Sequence, residues 1–123
     1  MKVNYAIVFV SDMKKSASFY RDVIGLPLKF ETTHWTEFAT DGAALVLHKS
    51  DAVRSPSENH NPEPAGSCRP GLQVPDLKIF HERMMGNGVT CIQEPKEVFG
   101  AMVAQYLDPD GLVISVGEEV RDS

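Results

Sequence analysis

This chain of 123 residues predicts an α+β fold of two β-α-β-β-β repeats with pseudo-twofold symmetry. Two repeated features point to it. Val10-Ser11-Asp12-Met13 opens a helical stretch ending at Gly25, and Val74-Pro75-Asp76-Leu77 opens another ending near Gly88, each followed by strand patterns. The first half then closes through Asp41-Gly42 and the apolar run Ala43-Ala44-Leu45-Val46-Leu47. The second closes through Asp108-Pro109-Asp110-Gly111 and Leu112-Val113-Ile114-Ser115-Val116. Positions at equal offsets from the paired aspartates and glycines should therefore occupy equivalent places in the two halves.

Residues 5–10, Tyr-Ala-Ile-Val-Phe-Val, are apolar and β-branched enough for a strand covered on both faces. Asp12 is placed to accept a hydrogen bond from a free backbone N–H of a first helical turn, and Met13, Ala17, Tyr20 and Ile24 recur on one helical face. Gly25 suits the left-handed conformation that ends a helix, and Pro27 discourages its continuation. Strands follow at 28–32, 35–40 and 43–48, the last two joined at Asp41-Gly42, a dipeptide suited to a type I′ hairpin turn. The second half repeats this grammar with a strand at 69–74, a helix from Asp76 to about Met85, and strands at 90–93, 101–107 and 112–116. Leu77, Phe80 and Met84 form the inward stripe of that helix.

The length suits one domain, 1–123, with repeat one at about 3–49, a linker at 50–68 and repeat two at about 69–118. Pro56, Pro62 and Pro64 among Ser, Asn, Glu and Gly give the linker its composition. So long a connection is either a lid, a simple linker between repeats, or a strap across a partner subunit. The tail from Glu118 onward is charged and is expected to fray.

Hydrophobic content of 42% and charged content of 24% are ordinary for a globular protein and give no sign of disorder or of a disulfide scaffold. A net charge of -5, with Lys14-Lys15 the only adjacent basic pair, disfavours a nucleic-acid partner, which needs a basic stripe to displace counterions. No apolar run approaches the ~20 residues of a membrane span, so no membrane partner is expected. The first residues run into strand without an apolar signal core, and Cys68 and Cys91 read as reduced thiols; both features suit a cytoplasmic protein.

The motif V-x-D-M-x-x-S-x-x-F-Y-R-D-x-x-G-L at 10–26, and Y-L-D-P-D-G at 106–111, resemble those of the vicinal oxygen chelate superfamily, over residues 5–116. That superfamily includes glyoxalase I, bleomycin-resistance proteins and extradiol dioxygenases. The resemblance implies that each unit curls into a half-barrel and that the two enclose a concave cavity. It also implies a metal held by one residue from each of four strands, and a homodimer whose halves pair across subunits or are exchanged through the linker.

Carried over by offset, the implied ligand positions are Tyr5 and Arg69, seven residues before Asp12 and Asp76, and Val46 and Ser115, four residues after Gly42 and Gly111. Metal-dependent relatives usually carry His and Glu there. Val46 has no donor atom and Arg69 would set a permanent positive charge beside a cation, so no metal and no other cofactor is expected. His48, which shares strand parity with Val46, together with Glu37 and Tyr106, does not complete a four-ligand set. His34, His60 and His81 are too scattered for a metal cluster and read as surface or hydrogen-bonding residues.

The cavity is expected to be lined by Tyr5, Ile7, Trp35, Glu37, Val46, His48, Arg69, Gln73, Tyr106 and Ser115, a mixed aromatic and polar set suited to a small organic ligand. Tyr5 and Trp35 serve equally well as core aromatics. An inward Arg69 needs an anionic partner, either Glu37 or a carboxylate or phosphate of the ligand. It also turns Cys68 outward, which argues against Cys68 as a nucleophile. The leading expectation is a metal-free small-molecule-binding protein similar to the bleomycin-resistance group. The alternative is a glyoxalase-like lyase or isomerase, with either a displaced divalent metal or acid–base chemistry from His48 and Glu37.

Overall fold

The computed structural model describes residues 1–51 and 68–118. In chain order these form β1 (Tyr5–Val10), α1 (Met13–Ser18), a π-helical turn (Phe19–Ile24), β2 (Leu28–Glu31), β3 (Trp35–Phe38) and β4 (Ala44–Lys49). There follow β5 (Gly71–Val74), α2 (Leu77–Gly86), β6 (Cys91–Val98), β7 (Ala101–Leu107) and β8 (Val113–Glu118). The fold is α+β, with the β-α-β-β-β unit present twice. Most of the expected linker, including Pro56, His60, Pro62 and Pro64, and the tail after Glu118 lie outside the described residues. The chain divides into two units, Met1–Asn59 and His60–Ser123, each with its own four-stranded sheet. Among the described residues no helix is long and apolar enough to cross a membrane.

In the first unit the strand order is β1-β4-β3-β2, with β1 parallel to β4 and the other neighbours antiparallel. Asp12 caps α1 as its sequence context predicts, its Oδ1 accepting from the Lys15 N–H at 3.1 Å. Met13, Ala17, Tyr20 and Ile24 are all buried, together with Val8, Val10, Phe38, Leu45 and Leu47. The helical stretch is not uniform, however: after Ser18 the hydrogen bonding widens to a π-helical turn that closes at Gly25, φ 96°. Both periods keep these four residues within one broad apolar stripe, so their spacing does not distinguish an α from a π turn.

Asp41-Gly42 does not form the expected type I′ turn. Phe38 pairs with Leu45, so a wider loop joins β3 to β4, and Gly42 is not in the left-handed region. The Thr40 hydroxyl organises this loop instead, accepting from the Gly42 N–H at 2.9 Å.

In the second unit the order is β5-β8-β7-β6, with β5 parallel to β8. Asp76 repeats the role of Asp12, its Oδ1 accepting from the Ile79 N–H at 3.1 Å, and Glu118 Oε2 accepts from the Leu77 N–H at 3.0 Å. The helix buries Leu77, Phe80 and Met84 and packs on β6, β7 and β8. β5 begins at Gly71 rather than at residue 69. Pro70 has no N–H to give to a ladder, although its carbonyl accepts from Ser115 at 3.0 Å, and Arg69 falls outside the strand. β6 runs well past the expected 90–93 and through Pro95, which the outer edge of a sheet tolerates; the pairing register shifts between Gln93 and Lys96.

Candidate functional site

Strand alternation in the first unit divides its side chains cleanly. Val8, Val10, Thr36, Phe38, Leu45 and Leu47 point to the side that carries α1 and are buried. The opposite face carries Tyr5, Ile7 and Phe9 of β1, which remain 54%, 37% and 63% exposed. Their register partners on β4 are Ala44, Val46 and His48, and on β3 Glu37 lies opposite Val46 and Trp35 opposite His48. Phe30 of β2, partnered with Glu37, extends this face to the sheet edge.

Trp35, His48 and Phe9 thus form one row across three strands. The Phe9 and His48 rings lie 5.5 Å apart between centroids, and Trp35 and His48 lie 5.9 Å apart at 78°. Tyr5 meets Trp35 edge to face at 6.5 Å. Such spacings are those at which edge-to-face ring contacts are favourable. Val46, between these rows, is fully buried.

Two polar groups interrupt this aromatic surface. His48 Nδ1 lies 2.8 Å from the Lys49 carbonyl oxygen. Glu37 is ion-paired to Lys29 at 3.1 Å, the carboxylate side chain 18% exposed and the lysine 61%. The carboxylate considered as a partner for Arg69 is therefore held by a neighbour on its own sheet. Arg69 itself is exposed in the segment before β5, not inward on a strand, and makes no ion pair among the described residues.

In the second unit Gln73 and Ser115 lie on the face away from α2, Ser115 opposite Gln105 and Gly71, and Gln73 opposite Gly117. Tyr106 does not join them. Its ring is fully buried against α2, 5.7 Å from Phe80, and its hydroxyl lies 2.8 Å from His81 Nδ1. The error is one of parity. Glu37 pairs with Val46 in the first repeat and Gln105 with Ser115 in the second, so the connection between β7 and Gly111 is one residue longer than the offset assumes. A one-residue difference reverses the face of every side chain on the strand. Gln105 is therefore the equivalent of Glu37, and the alternation of Ala104, Gln105 and Tyr106 is the signal that identifies it. Phe9 was also missed, although the alternation that selects Tyr5 and Ile7 reaches it two residues further on.

Burial pushes the Tyr106 phenol up to about 12, with Cys91 a second contributor, and also raises the Cys91 thiol. These groups belong to the packing under α2. The four positions that relatives use for a metal present a phenol, a hydrocarbon, a guanidinium and an aliphatic hydroxyl, a donor set that does not fit a divalent ion. Among the described residues no three His, Cys, Asp or Glu side chains come together in a way that would hold one.

Comparison with known proteins places this geometry in a family. The chain is 29% identical to the phenazine antibiotic resistance protein EhpR of Enterobacter agglomerans, over 92% of this chain and 88% of that protein. Its fold is similar to a crystal structure of a glyoxalase/dioxygenase from Nostoc punctiforme, with a TM-score of 0.82 and 21% identity over 98% of this chain and 92% of that one. It is also similar to a lactoylglutathione lyase from Agrobacterium tumefaciens, with a TM-score of 0.73 and 20% identity over 94% and 92%. The model of the Glyoxalase/Bleomycin resistance protein/Dioxygenase superfamily matches residues 2–116, and with its two β-α-β-β-β repeats the chain belongs to that superfamily.

Proposed function

We propose that this chain is a metal-free small-molecule-binding protein that takes a flat aromatic ligand on the face of β1, β4 and β3 away from α1. The observation that carries this reading is the row of Trp35, His48 and Phe9, extended by Tyr5, on a face with exposed apolar surface. An apolar surface with a few placed polar groups is the usual character of a small-ligand site, and aromatic rings suit flat partners. The similarity to a protein named for resistance to a phenazine antibiotic supports the same class, since a phenazine is a flat tricycle. The mismatched donor set at the four implied positions supports the absence of a metal. Glu37 is engaged by Lys29 and His48 by a backbone carbonyl, and neither contact favours an acid–base pair.

The same reading includes a cytoplasmic homodimer without nucleic-acid or membrane partners; analytical ultracentrifugation tests the assembly. For the ligand, Trp35 is the single tryptophan and a direct reporter. Titration with phenazine should quench its fluorescence saturably, and Phe9→Ala should weaken binding about tenfold, the scale of one lost ring contact with its buried area. Metal removal with a chelator should leave the isotherm unchanged. Stoichiometric zinc, nickel or iron in the purified protein, or an absence of saturable quenching, would overturn the proposal.

A further inference from the structure

Resting on the reading just given, we infer that His48 selects among flat ligands for those with an N–H or O–H donor on the ring edge. The argument turns on which imidazole nitrogen carries the hydrogen. The partner of Nδ1 at 2.8 Å is the Lys49 carbonyl oxygen, which can only accept, so Nδ1 is the protonated nitrogen and donates. In the neutral ring Nε2 is then an acceptor. Among the described residues no donor meets it.

The ring that carries this lone pair stands between two aromatic neighbours, Phe9 at 5.5 Å and Trp35 at 5.9 Å. A ligand lying against those rings brings its edge to an acceptor whose orientation is already fixed by the backbone. Glu37, the carboxylate on this face, is paired with Lys29 and is less free to accept from a ligand. A ligand whose edge offers only acceptors would desolvate Nε2 without replacing its hydrogen bond, and leaving a buried polar group unpaired is the stronger source of discrimination.

The test uses two probes of nearly equal shape, 2-hydroxyphenazine and 2-methoxyphenazine, titrated by calorimetry into the full chain. The hydroxyl probe should bind about tenfold more tightly to the unmodified protein, the effect of roughly one hydrogen bond. In His48→Phe, which keeps a ring and removes the acceptor, that preference should fall to about unity. A nitrogen-15 NMR spectrum of the unmodified protein supplies a reading that needs no variant: the His48 Nε2 resonance should move with the hydroxyl probe and not with the methoxy probe. Equal binding of the two probes, or a preference that survives His48→Phe, overturns the role of His48 while leaving the aromatic face intact as a binding site. If neither probe binds, the aromatic-ligand reading falls together with it.

Discussion

The Tyr106 hydroxyl and His81 Nδ1, 2.8 Å apart, join the C-terminal end of β7 to α2. The phenol ring is fully buried and packs edge to face on Phe80 at 5.7 Å and 68°, so this one side chain supplies both an apolar and a polar contact to the helix. A phenol can both donate and accept, so this contact is available to either tautomer of the imidazole, unlike the contact of His48 with a carbonyl.

That burial gives the fold an alkaline limit. The Tyr106 phenol is raised from an ordinary value of 10.0 to about 12 in the folded protein, chiefly by desolvation. A raised value means that the unfolded chain loses the proton first, so the contribution is complete below about pH 10 and is lost as pH rises towards about 12. Two units correspond to roughly 2–3 kcal/mol. Urea denaturation at about pH 9 and again at about pH 12 should show Tyr106→Phe losing less stability across that interval than the unmodified protein, by an amount of this order. Parallel slopes for the two proteins would mean that Tyr106 ionises freely in the fold.

Ser16 presents the reverse situation. Its hydroxyl oxygen is buried on α1 with no hydrogen-bond partner among the described residues, while nearby in sequence Met13 receives the Thr36 hydroxyl on its sulfur at 3.1 Å. An unsatisfied buried hydroxyl is costly, and alanine is the better helix former. Ser16→Ala should therefore raise unfolding free energy by about 1 kcal/mol, seen as a higher urea midpoint with an unchanged slope. A loss of stability would show that the hydroxyl has an unseen partner such as water.

The repeated aspartates can be tested as a pair. Asp12 and Asp76 each accept from the N–H three residues on, at 3.1 Å in both cases. Replacing either with alanine should cost about 1 kcal/mol by urea denaturation. Glu118→Gln should cost less, since a glutamine oxygen can still accept from Leu77 N–H and only the charge facing the helix start is lost. A larger loss for Glu118→Gln than for Asp76→Ala would assign the helix start to charge rather than to capping geometry.

These local devices were legible in the sequence because each depends on a short, fixed spacing. An aspartate before an apolar stripe announces a cap, and the stripes Met13-Ala17-Tyr20-Ile24 and Leu77-Phe80-Met84 are buried as their periods require. The candidate face was legible only where strand parity could be counted without crossing a turn. Parity places Tyr5, Ile7 and Val46 on the face away from α1, and it failed for Tyr106, where a connection one residue longer reverses the face. The Lys29 contact to Glu37 was not legible, because a bulge between Leu28 and Phe30 sets which way β2 side chains point. β5 starts later than the apolar pattern indicates, because Pro70 has no N–H to give to a ladder.

The tight turn predicted for Asp41-Gly42 occurs instead at Phe99-Gly100. Val98 pairs with Ala101, and both intervening residues are left-handed, Phe99 at φ 51° and Gly100 at φ 82°. Two positive values in a two-residue connection are the signature of a type I′ turn, in which glycine suits the second position and asparagine the first. A phenylalanine in this region sets its Cβ against the following carbonyl at a cost of about 1–2 kcal/mol, and the fully exposed Phe99 ring gains no burial to offset it. Phe99→Asn should therefore stabilise the chain by about 1 kcal/mol, raising the urea midpoint and melting temperature together. If the variant is instead destabilised in a concentration-dependent way, the Phe99 ring is buried in an assembly, and the strain at this turn is offset by association rather than within a single chain.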